Sequence, residues 1–169
     1  ALFQCLRSRK ELTTPEERAE IEQIIDDGID GIPEEDLEVL NFRQVRTAWM
    51  RGFAAHHAGL LPAFKHIVEQ LFVRGLVKVV FATETLALGI NMPARTVVLE
   101  KMVKFNGEAH VDLTPGQYTQ LTGRAGRRGI DHIGNAVVQW APALDPHAVA
   151  GLASTRTYPL ISQFQPGYN

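Results

Sequence analysis

Short apolar runs alternate with stretches of helical spacing from Gly52 to Trp140, and few folds accept that order. Residues 52–56 (GFAAH) read as a short strand, and 62–74 (PAFKHIVEQLFVR) as an amphipathic helix closed by Gly75. Residues 77–82 (VKVVFA) are nearly unbroken in apolar residues, as strands buried on both faces are, and 96–103 (TVVLEKMV) read as another buried strand. A short helix is expected over 83–88, ended by Gly89. Thr114-Pro115-Gly116 opens a helix through GQYTQLTG, and 135–140 (NAVVQW) reads as the last strand. Strands separated by helices with short loops predict an α/β domain with a parallel sheet and right-handed crossovers. Ligands bind such sheets at the carboxyl ends of the strands. HHAGL, ATETLALGIN and the arginine-rich segment after Gln120 are all expected there, on one edge of one sheet.

The first 51 residues differ, being acidic and helical. Thr14-Pro15-Glu16-Glu17 is a start signal, with Thr14 as cap, Pro15 at the first helical position and Glu17 completing a capping box. Ile21, Ile24 and Ile25 follow at helical spacing up to Gly28. A second helix is predicted over about 34–51, its apolar stripe made of Leu37, Leu40, Val45, Ala48 and Trp49, with Gly31 and Pro33 in the turn between. The pair reads as a helical hairpin inserted at the start of the α/β domain, or as a plain part of its core. After Pro142 the pattern is lost, and 143–169 reads as a connector running outward. The expected division is therefore 1–51, 52–142 and 143–169.

Composition narrows the function classes. A single cysteine, Cys5, excludes an internal disulfide, fits a reducing cytoplasm and argues against a structural zinc. No apolar run reaches the roughly 18–20 residues that cross a bilayer, so no membrane partner is expected. The opening ALFQCLRSRK lacks the parts of a signal peptide. The formal net charge of −2 excludes a wholly basic nucleic-acid binder, and affinity for a polyanion must come from local clusters. The sequence opens at Ala1 instead of Met, as a piece excised from a longer chain would.

Three segments carry chemistry. Gln120-Leu-Thr-Gly-Arg-Ala-Gly-Arg-Arg-Gly129 sets Arg124, Arg127 and Arg128 among small residues that let backbone approach a ligand. Arg124 and Arg127 are three apart, so on a helical turn they face one side, where two guanidinium groups suit a phosphate chain. A solvated basic loop is the plain alternative. In Phe81-Ala-Thr-Glu-Thr-Leu-Ala-Leu-Gly-Ile-Asn-Met-Pro93, Thr83 stands where a strand gives way to a helix, a place for a phosphate oxygen. Gly89 ends that helix, and Asn91 offers a short polar reach to a sugar hydroxyl; a cap and a turn would use the same residues. His56-His57-Ala-Gly59 puts adjacent histidines on opposite faces of an extended segment, poor geometry for one metal, so no metal site is expected. One histidine reads as buried and structural, with a phosphate contact as the alternative. No G-x-x-x-x-G-K-[ST] loop and no D-E-x-H/D run occurs, so converging arginines stand without a lysine–magnesium centre.

Taken together, FATETLALGINMPARTVV and QLTGRAGRRG resemble motifs V and VI of the second RecA-like domain of superfamily II helicases. The leading Gln120, the ATET start and HHAGLLP resemble the superkiller-type DExH-box branch; the DEAD-box branch has H-R-x-G-R-x-G-R at motif VI. ALGINMPARTVVLE and MVKFNGE resemble the actinobacterial HelY-like group. The close match covers about residues 52–140, and SQFQPGYN resembles the lead into that family's winged-helix domain.

The resemblance implies a helicase motor that uses ATP, with Mg2+ held by a first RecA-like domain outside this sequence. It implies that Arg124 and Arg127 are arginine fingers on the γ-phosphate of ATP bound by that domain, with Gln120 close by. Asn91 stands where the DEAD-box branch has a ribose-contacting Asp, beside Gly89. Thr83 matches a threonine that contacts the nucleic-acid backbone, and His57 and Gly59 lie in a motif flanking the same path. The implied partners are RNA or single-stranded nucleic acid and the first RecA-like domain. The segment alone is expected to be inactive. A non-catalytic interaction module of helicase-like fold remains the alternative, and a domain that binds a small nucleotide unaided is a third reading.

Overall fold

Thr14 caps α1 (Pro15–Ile29), as its sequence predicts. Its hydroxyl accepts from the Glu17 amide at 3.2 Å, and the Glu17 carboxylate accepts from the Thr14 amide at 2.9 Å. Two donors left open at a helix start are thereby satisfied. The computed structural model describes residues 6–7, 10–83, 92–105 and 108–155. The chain divides into two compact units, Ala1–Met92 and Pro93–Asn169.

In the first unit the expected second helix is two helices, α2 (Glu34–Val39) and α3 (Phe42–Met50). The break falls at Asn41, whose φ of 52° is left-handed, a conformation Asn enters more readily than other non-glycine residues. The apolar stripe continues across the break, so its spacing gives no sign of it. Then come β1 (Phe53–His56), α4 (Pro62–Val73) and β2 (Val79–Ala82). β1 and β2 pair in parallel from Phe53↔Val79 to His56↔Ala82, the expected strand–helix–strand unit. Ile21 and Ile25 of α1 and Trp49 of α3 share one buried cluster with Phe64, Ile67, Val68 and Leu71 of α4. The run 77–82 is not buried throughout. Its most covered part is the lead-in, where Leu76 and Val77 donate their amides to the Leu71 carbonyl at 2.9 and 3.2 Å, while β2 itself is half-buried and ends exposed at Ala82.

The second unit holds β3 (Thr96–Leu99), β4 (Val103–Phe105), β5 (His110–Asp112), α5 (Pro115–Thr122), β6 (Asn135–Val138) and α6 (Pro146–Ser154). The expected strand 96–103 is thus two strands. β3 pairs in parallel with β6, from Thr96↔Asn135 to Leu99↔Val138, whereas β4 pairs antiparallel with β5. Thr114 and Gln117 close a second capping box at the start of α5. α6 occupies a stretch with no evident sequence pattern. Asp145 caps it by accepting from the His147 amide at 2.9 Å, with Pro146 in the first turn. The helix expected over 83–88 lies, after Thr83, outside the described residues. No described helix is long and apolar enough to cross a membrane.

Candidate functional site

The arginine segment is a loop built on the end of α5. The helix stops at Thr122, and the Gly123 amide closes it on the Thr119 carbonyl at 2.8 Å. Ala125 then forms a parallel bridge with Ala94. The Ala94 amide donates to the Arg124 carbonyl at 3.0 Å, and the Gly126 amide to the Ala94 carbonyl at 2.7 Å. Ala94 lies just ahead of β3, so the loop runs beside the amino ends of β3 and β6, not at the carboxyl ends as expected. The reason is topological. α5 starts beyond the carboxyl end of β3 and must run back before β6 can leave parallel to β3, so its last turn reaches the opposite edge.

This geometry also corrects the reading of the arginine pair. Arg124 follows the helix end, and Gly126, with φ of 92°, turns the chain before Arg127. The two arginines share a loop but not a helical face. Gln120 is exposed in the last turn of α5, on the same continuous segment. Arg128 is exposed in the turn that follows.

Arg127 has a partner that sequence reasoning passed over. Asp131 Oδ2 accepts from Arg127 Nε at 2.8 Å, and Oδ1 from Nη2 at 2.9 Å. Oδ2 also accepts from the Arg127 backbone amide at 3.0 Å, and the Asp131 amide returns a bond to the Arg127 carbonyl at 2.9 Å. The Asp131 side chain is 8% exposed and that of Arg127 41%. The available signal was the i,i+4 spacing of opposite charges. The hydrogen bonds from the Arg127 side chain and amide, aided by the charges of Arg127 and Arg95, lower the Asp131 carboxyl from 3.8 to about 2. A folded value below the unfolded one means the contribution of this pair to stability is complete above about pH 4. It is lost as pH falls through about 2.

Two of the small residues, Ala125 and Gly126, serve backbone-to-backbone contact inside the protein. A Cβ added at Gly134 would stand 2.5 Å from the Ala125 carbonyl carbon and oxygen and from the Gly126 amide nitrogen. Gly134→Ala is expected to destabilise the protein by about 1–3 kcal/mol, the cost of overpacking a tight contact, and to displace residues 124–127. Chemical denaturation and amide NMR shifts of the loop measure both. An unchanged midpoint would mean the two backbones stand farther apart than 2.5 Å allows.

In the first unit, three predicted residues, His57, Gly59 and Thr83, follow the carboxyl ends of β1 and β2. The Thr83 amide donates to the His56 carbonyl at 3.2 Å, and Thr83 is exposed. His57 is exposed, and a Cβ at Gly59 would lie 3.4 Å from its Nδ1. His56 is the buried member of the pair, with Nε2 3.2 Å from Glu69 Oε1. Gly89 and Asn91 lie outside the described residues. A cleft of about 690 Å³ lined by Ile32, Leu37, Asn41 and Phe42 includes none of the predicted residues.

Over residues 34–129, more than half its length, the chain matches the family described as helicase conserved C-terminal domain. It is 65% identical over 169 residues to the probable helicase HelY of Mycobacterium tuberculosis (strain ATCC 25618 / H37Rv), an alignment covering 100% of this chain and 19% of that protein. It is 38% identical over 161 residues to the DExH-box ATP-dependent RNA helicase DExH10 of Arabidopsis thaliana, covering 95% of this chain and 16% of that protein. Against Superkiller complex protein 2 of Homo sapiens it is 46% identical over 128 residues, 76% of this chain and 10% of that protein. The chain spans about a fifth or less of the length of these curated relatives. With its parallel strand pairs and intervening helices, the chain belongs to the helicase C-terminal domain family of superfamily II and has the RecA-like α/β fold.

Proposed function

We propose that the chain is the second motor domain of a superkiller-type, ATP-dependent helicase that acts on RNA or DNA. The observation that carries this reading is the construction of the arginine loop. Arg127 presents a half-exposed guanidinium from a loop fixed by the Ala94 bridge and the Gly134 contact. A cation fixed in advance stabilises developing phosphate charge without reorganising during the reaction.

In this reading Arg124 and Arg127 reach the γ-phosphate of ATP bound, with Mg2+, on the first RecA-like domain. Gln120 stands near the same phosphate, and Gly89 and Asn91 serve the nucleotide's sugar. Thr83, His57 and Gly59 contact the nucleic-acid backbone, a sequence-independent and salt-sensitive interaction. Binding of ATP draws the two domains together, and hydrolysis lets them part. The domain by itself supplies half of an ATPase centre, in the cytoplasm, and is inactive.

The test is steady-state ATPase of the parent protein with and without RNA or single-stranded DNA, beside that of the isolated domain. Strong stimulation of the parent and no turnover by the domain are expected. A parent that nucleic acid does not stimulate, or a domain that hydrolyses ATP unaided, overturns the reading.

A further inference from the structure

We infer that Asp131 is the positioning residue of Arg127, an assignment that rests on the finger reading above and deepens it. The carboxylate binds both ends of one residue. It accepts from the Arg127 amide and, side-on, from Nε and Nη2 of the guanidinium. A side chain tied to its own backbone in this way has little rotational freedom left, although arginine ordinarily has much. The two acceptors also choose which edge of the guanidinium faces outward. They take the Nε hydrogen and one on Nη2, leaving the Nη1 end of the fork turned away from the carboxylate.

The surroundings keep Asp131 in this role. Its side chain is nearly covered, while that of Arg127 is close to half-exposed, so the anchor is fixed inside and the cation faces out. The Asp131 amide donates back to the Arg127 carbonyl, closing the turn that carries both residues. Arg95 adds positive charge near the carboxylate and helps hold it ionised. An Asp that only neutralised a surface arginine would need none of these backbone bonds.

A second candidate for this turn is a purely structural one, in which the Asp131 bonds hold residues 127–131 together and the guanidinium is incidental. The two roles part in kinetics. In the parent protein, Asp131→Asn keeps the side-chain shape but cannot accept from the amide, Nε and Nη2 together. Nucleic-acid-stimulated kcat is expected to fall about 10²-fold, the loss that follows a misplaced reacting group. KM for ATP and the affinity for RNA should change little. Asp131→Glu, which keeps the charge, should recover part of the loss. Combined with Arg127→Ala, Asp131→Asn should add nothing further, because residues acting as one unit are not additive.

Wild-type kcat in Asp131→Asn overturns the assignment. So does a loss that multiplies with that of Arg127→Ala, or one that tracks a lowered melting temperature and is not improved in Asp131→Glu. If Arg127→Ala is itself active, the finger reading fails first. If Arg127→Ala is inactive and Asp131→Asn is not, only the Asp131 assignment falls.

Discussion

Arg127→Ala in the parent protein is expected to lower nucleic-acid-stimulated ATPase turnover by about 10³-fold or more, the range in which arginine fingers act in related phosphoryl-transfer systems. Each tenfold corresponds to about 1.4 kcal/mol of transition-state stabilisation. Loss on that scale is reasonable only for a group that meets the reacting phosphate, and Arg127 has the features of one. Its guanidinium is outward, held by Asp131, and set on a loop that cannot shift without disturbing the Ala94–Ala125 bridge. Arg127→Lys is expected to restore little, since an ammonium group cannot take both Asp131 oxygens side-on or present a planar fork. Binding of RNA should remain close to wild type. Thr83 and His57, the residues assigned to the nucleic-acid backbone, follow β2 and β1 and are left in place by the substitution. Stopped-time phosphate release and a binding titration on the same preparation separate the two effects. Near wild-type turnover would remove Arg127 from the ATPase centre.

The same loop shows what could be read from residue order and what could not. Capping boxes at Thr14 and Thr114 are local, depending on residues three apart, and both form as their sequences indicate. The strand–helix–strand unit from β1 to β2 is likewise set by periodicity. Features that depend on where the chain returns in space were misread. The arginine segment was expected at the carboxyl ends of the strands, yet α5 carries it back to the amino ends. Gly126 was read among small residues that make room for a ligand, but it accommodates the backbone of Gly134, whose Cα would lie 3.1 Å from a Cβ placed there. The Arg127–Asp131 pair and the Asp145-Pro146 start of α6 were both present as short-range signals. Asn41 is different. Its left-handed backbone interrupts a stripe of unbroken spacing without glycine or proline, and periodicity has no means of registering it. Gly89 and Asn91 stay with the sequence reading, being outside the described residues.

Trp49→Ala is expected to destabilise the chain by about 3–5 kcal/mol, the cost of emptying a large aromatic site in a close-packed core. Trp49 is 1% exposed. Its ring meets Phe64 edge-on, with centroids 5.5 Å apart at 85°, and Phe42 at 6.3 Å and 70°. Phe42 and Phe64 also touch, at 5.7 Å, so the three rings form a closed cluster joining α3 to α4. Removing the largest member takes away two of the three ring contacts, and the neighbours Ile21, Ile25 and Leu71 are themselves fully buried and have no open space from which to move in. Set against the roughly 5–15 kcal/mol by which domains are stable, this loss is a large part of the whole. Equilibrium denaturation followed by circular dichroism measures it. Fluorescence supplies a check, because the second tryptophan, Trp140, is 69% exposed and should leave the variant with a solvent-shifted emission even when folded. Trp49→Phe, which keeps one ring in the cluster, should cost clearly less. A loss below about 1 kcal/mol, the scale of an ordinary point substitution, would mean that α1 and α3 do not share a cooperative core with α4. The helical start of the chain would then unfold separately from the strand–helix–strand unit, and denaturation would show two transitions where one is expected.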